Sequence, residues 1–129
     1  MGRNKKTIIN MANEKAVFKF NADFGRQGDL TGLFIATKEQ VETLIESGIE
    51  VYFGEVLGKH SEIYGSIEQK EISLVSDNPE VIKVIEDFDL TSGYNPFDYT
   101  IINPPRSEFE DMLIFEVVDI LIKEKSEKK

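Results

Sequence analysis

AVFKFNADFGRQGDLTGLFIA, residues 16–36, reads as two strands joined by a glycine-bounded turn. In its first half Val17, Lys19 and Asn21 alternate with Phe18, Phe20 and Ala22, the two-residue period of a half-buried strand. GRQGD (25–29) supplies the turn and LTGLFIA (30–36) the returning strand, so a hairpin with a longer loop is expected.

TKEQVETLIESG (37–48) carries a helix signal: Thr37 with Gln40 as a capping box, a stripe of Val41, Leu44 and Ile45, and Gly48 at the C-terminal cap. IEVYFGEVL (49–57), EIYGSIE (62–68) and KEISLVS (70–76) read as three short strands. NPEVIKVIEDFD (78–89) is a second helix, with Asn78 as cap, Pro79 in the first turn and an inner face of Val81, Val84, Ile85 and Phe88. TSGYNPFDYTIINPP (91–105) is a loop with a short strand at Tyr99–Ile102. A last helix is expected from a second capping box, Ser107 with Glu110. Its apolar middle, Met112 to Ile122, is interrupted only by Glu116 and Asp119, too wide a stripe for one side of a surface helix. Either a helix sunk into the domain or one whose outer side packs on a second subunit would explain the width, and of the two a homodimer through this helix is the expectation.

The expected fold is therefore α+β: one domain with a mostly antiparallel sheet of about five or six short strands and two or three helices packed on one side. The expected division is a flexible basic arm over residues 1–15, the domain over 16–124 and a disordered basic tail over 125–129, with Met1 and Met11 as alternative translation starts. The 129 residues suit one core. Cysteine is absent, which removes disulfides, thiol catalysis and zinc-thiolate sites. The N-terminus has no long apolar stretch of a secretory signal and Lys6 spoils a myristoylation pattern, so a cytoplasmic location is expected, with no membrane partner.

The formal net charge is −9, and the tails are basic: residues 1–15 and 123–129 hold eight of the fifteen Lys and Arg. Residues 16–122 carry seven basic and twenty-one acidic side chains, a balance of −14 that opposes direct nucleic-acid binding. FGRQGDLTG and GEVLGKHSE lack the residues and the following helix of a phosphate loop. Ser61 adjoins His60, and neighbours on an extended chain point in opposite directions, so a catalytic pair is not implied. A lone histidine does not make a zinc site.

What remains is a binding constellation. Lys59, His60 and Ser61 sit on a glycine-framed loop and Arg26 on the other glycine-rich loop, where scarce cations would dominate the local potential. Tyr64 and Tyr94 are the aromatic candidates for stacking a base. The leading expectation is a non-enzymatic protein that sequesters a small anionic, nucleotide-like ligand, without a cofactor or metal. An alternative is an acidic inhibitor that mimics nucleic acid and docks on a host protein through Glu39, Glu42, Glu46, Glu80 and Glu86. A third is a metal-dependent hydrolase using Asp23, Asp29, Glu55 and His60.

Three strings, FNADFGRQGDLTGLF, FGEVLGKHSEIYG and SGYNPFDY, resemble a small uncharacterised family associated with bacteriophages and prophages. The likeness spans roughly residues 17–100. It implies a phage-borne accessory protein in the host cytoplasm that counters host defence or machinery by binding.

Overall fold

A computed structural model describes residues 14–24, 28–54 and 63–127. Strands β1 (Lys15–Asp23) and β2 (Asp29–Thr37) pair antiparallel over their full length, from Lys15 opposite Thr37 to Asp23 opposite Asp29. Alternation sorts their side chains. Ala16, Phe18, Phe20, Ala22, Leu30, Phe34 and Ala36 enter the main core, while Val17, Leu33 and Ile35 take the opposite face. β5 (Ile72–Ser76) pairs with β1 and β6 (Ser92–Gly93) with β2, so the four-stranded antiparallel sheet runs β5-β1-β2-β6. A separate two-stranded sheet, β3 (Glu50–Gly54) with β4 (Ile63–Ser66), puts Val51 and Phe53 into the same core.

Helix α1 (Lys38–Ser47) starts as its capping box demands. The Gln40 amide donates to Thr37 Oγ1 at 3.0 Å and the Thr37 amide to Gln40 Oε1 at 2.9 Å. Gly48, at φ 67°, ends it. Val41 and Leu44 face the core. The last helix, α3 (Ile114–Glu127), lies beside α1 and buries Ile114, Val117 and Val118. Gln40 Nε2 donates to Asp119 at 3.0 Å and Lys125 reaches Glu46 at 3.3 Å, so the two helices run in the same direction.

The single α+β domain is as expected, but three local expectations are corrected. First, the helices do not share one side of the sheet. α2 (Pro79–Asp87) covers the other face, where Ile82 and Ile85 pack on Val17, Leu33 and Ile35. Second, its inner stripe is Ile82 and Ile85; Val81, Val84 and Phe88 are 38, 49 and 71 % exposed. The helix is apolar over an arc wider than its contact with the sheet, so periodicity alone could not select the buried part.

Third, the last helix begins at Ile114 and not at Ser107. Ser107–Phe109 is a single 3-10 turn, followed by Asp111 at φ 65° and a short extended stretch. There the Ile101 amide donates to the Met112 carbonyl (2.9 Å) and the Ile114 amide to the Tyr99 carbonyl (2.8 Å). Those inter-segment bonds replace the helical ones. The complete burial of Phe109, under the Arg106 guanidinium at 4.4 Å, holds the turn in place. α3 then continues to Glu127. The expected strand at Tyr99–Ile102 is reduced to two bridges, Thr100 with Leu113 and Ile102 with Glu50. No helix among the described residues is long and apolar enough to cross a membrane.

Glycine is required where β6 crosses β2. A Cβ on Gly32 would collide with the Tyr94 backbone, and Gly93 sits at φ 69° against Thr31 and Gly32. At Gly65 an added Cβ would meet Phe53 Cε2 at 3.8 Å, an ordinary contact. Gly32→Ala is expected to destabilise the fold by about 1–3 kcal/mol through overpacking. Gly65→Ala is expected to be neutral or to add up to about 1 kcal/mol through the unfolded chain. Urea unfolding midpoints at constant m-value distinguish the two.

Candidate functional site

The two glycine-rich loops leave from neighbouring stems. Phe24 follows the last residue of β1, and its amide donates to the Gly28 carbonyl at 3.0 Å, closing the first loop with Gly28 at φ 104°. Phe53 stands one residue from the end of β3, where the register with β4 shifts. The Phe24 and Phe53 rings meet at 5.3 Å between centroids, tilted by 55°. The described ends of β1 and β3 therefore touch through Phe24 and Phe53.

Behind that contact is an aromatic column. Phe53 packs on Phe20 (6.1 Å) and Tyr94 (5.9 Å), Tyr94 stacks on Tyr99 (5.2 Å), and Tyr99 reaches Tyr52 (6.2 Å). Tyr94 is only 4 % exposed, and its hydroxyl donates to the Tyr52 carbonyl at 2.8 Å. Burial, with smaller effects from Tyr99 and Glu71, pushes that hydroxyl far above the ordinary tyrosine range, so it stays a neutral donor.

Of the expected ligand-binding residues, Arg26, Lys59, His60 and Ser61 lie outside the described residues. Tyr64 is on β4, half exposed and directly across from Tyr52. Tyr94, also expected to stack a ligand, is buried: its ring lies against Phe20, Phe53 and Tyr99, and its hydroxyl is engaged. Asp23 and Asp29 face each other on the final rung of the first hairpin, while Glu55 and His60 lie outside the described residues. Among the described residues no three His, Asp or Glu side chains gather closely enough to hold a metal ion.

The described cations clarify the electrostatics. Lys38 pairs with Asp77 (2.8 Å), Lys70 with Glu68 (3.7 Å), Lys83 with Asp87 (3.3 Å), and Arg106 with Glu124 (2.8 Å) and Glu108 (3.1 Å). Each is an exposed or partly exposed pair of modest worth, yet each neutralises a cation that could otherwise meet a ligand. Even the cleft of about 290 Å³ between α1 and α3 is bridged by Lys125, which contacts Glu46 (3.3 Å) and Thr43 (3.5 Å).

The stem contact between Phe24 and Phe53 escapes a reading based on glycines and charges. Its trace is the dipeptide Phe-Gly, which opens both loops at Phe24-Gly25 and Phe53-Gly54. Searches of protein-family models, curated proteins and solved structures find no match to this chain.

The buried Tyr94 hydroxyl yields a measurable expectation. Tyr94→Phe removes the hydroxyl bond to the Tyr52 carbonyl and is expected to lower stability by about 1–2 kcal/mol at neutral pH. In the wild type, the unfolded state ionises this residue first as pH rises past about 10, so stability is full below that range and falls above it. Urea unfolding at pH 7 and pH 10.5 should show a shallower alkaline loss in Tyr94→Phe than in the wild type.

Proposed function

We propose that the chain is a non-enzymatic binding protein that takes a small anionic, nucleotide-type ligand between the ends of its two hairpins. The observation that carries this reading is the 5.3 Å ring contact between Phe24 and Phe53. Loops that leave from touching stems can act on one ligand; loops at opposite ends of the domain could not. The sequence supplies the chemistry: Arg26, Lys59 and His60 donate to a phosphate, and Ser61 adds a hydrogen bond. Tyr64, half exposed on β4, offers a face for a base.

Charge distribution also favours this reading. Lys38, Lys70, Lys83 and Arg106 are matched to the protein's own carboxylates, and Arg26, Lys59 and His60 are the cations that the two glycine-rich loops add. A phage-borne protein that removes a host signal by sequestering it is the biological setting suggested by the three sequence blocks.

Isothermal titration with a panel of linear and cyclic nucleotides tests the reading. At least one nucleotide should bind, and Arg26→Ala and Lys59→Ala should each weaken it by about tenfold, the scale of one charge-assisted hydrogen bond. Raising the salt concentration should weaken it further. Absence of heat with every nucleotide, or unchanged affinity in both variants, would remove the proposal.

A further inference from the structure

The outward flank of α2 has no role in the fold or at the hairpin ends. Its apolar arc is divided: Ile82 and Ile85 seal the sheet, whereas Val81, Val84 and Phe88 form an exposed i, i+3, i+7 stripe. Leu90, 49 % exposed, extends it past the helix end. Phe88 is the most exposed large apolar side chain among the described residues, at 71 %. Single exposed apolar residues are common, but four in a row on one flank mark an interaction surface.

The stripe stands beside an open part of the sheet. Lys15, Val17 and Lys19 point to the α2 face of β1 in turn. Lys15 meets Glu86 at 3.1 Å on one flank of the helix, and Val17 lies beneath Ile82 and Ile85. Exposed Lys19 therefore lies beyond the opposite flank, the side of Val81, Val84 and Phe88. The result is a step with an apolar wall and a polar floor, to which Ser73, opposite Lys19 on β5, also contributes. The outer rim carries Glu80, Asp87 and Asp89 against Lys83, which is paired with Asp87 at 3.3 Å, so the acidic groups outnumber the cations of the step even with Lys19 of the floor counted.

We infer that this step receives a basic amphipathic helix of a partner protein, with apolar residues at i, i+3 or i+4, and i+7 flanked by Lys or Arg. Helix-in-groove recognition uses that spacing, and the acidic rim selects the flanking charge. A second copy of this chain is the poorer occupant. Two-fold pairing would bring the two acidic rims together on chains that each carry −9.

The probe is a fluorescein-labelled 18-residue peptide of Leu and Lys with Leu in helical register. A scrambled peptide of the same composition separates helix recognition from charge attraction. Fluorescence anisotropy should give a Kd at least about tenfold lower for the registered peptide than for the scrambled one, and about tenfold weaker binding to Val84→Ser/Phe88→Ser, a difference of about 1.4 kcal/mol. Leu74→Ser, on the other face of the sheet, should bind as wild type. Circular dichroism checks the fold of each variant, and Phe88→Ser alone carries the same reading if the double variant unfolds. Equal binding of both peptides, equal binding to wild type and the Phe88 variant, or a wild-type dimer in sedimentation that Phe88→Ser dissolves, would overturn the inference.

Discussion

The two sheets share no strand, and the packing of Phe53 against Phe20, Phe24 and Tyr94 joins them. Phe20 belongs to the long hairpin, Phe53 to the short one and Tyr94 to the segment after β6, so one aromatic junction fixes three parts of the chain. Aromatic rings suit this task because each buries a large apolar area, and their tilted contacts constrain orientation as well as distance. The Tyr94 hydroxyl adds direction through its bond to the Tyr52 carbonyl. The close crossing at Gly32 and Gly93 then lets Tyr94 reach the junction without steric conflict.

The second constraint is electrostatic. The folded region is strongly acidic, and Lys38, Lys70, Lys83 and Arg106 lie against its own carboxylates. Such pairs add little to stability singly, but they shape the surface that partners meet. Neutralised helix faces and acidic rims discourage non-specific polyanion binding and leave specificity to local arrangements. The proposed anion site and the α2 flank are separate uses of that surface: one relies on loop cations, the other on exposed apolar side chains with a negative border.

The α2 helix also shows how a small domain divides its apolar residues. The helix carries more apolar side chains than its packing on β1 and β2 covers. Ile82 and Ile85 occupy the centre of the contact and leave Val81, Val84 and Phe88 at its margin. Exposed apolar surface weakens solubility, which the surrounding carboxylates offset by keeping the chains apart.

The amino-acid sequence by itself determined the elements whose signals are local. Two-residue alternation identified the β1–β2 hairpin, Thr37 and Gln40 marked the start of α1, and Asn78-Pro79 marked that of α2. Those signals act within a few residues, through backbone geometry and caps, so they survive any tertiary arrangement. Tertiary structure decided which arc of α2 is buried, the start of α3 at Ile114 and the meeting of Phe24 with Phe53. Each depends on a surface supplied by distant chain. Ser107 and Glu110 spell a helix start as clearly as Thr37 and Gln40, yet burial of Phe109 and bonds from residues 99–101 outweigh it, because a buried ring and paired backbone amides stabilise more than one cap.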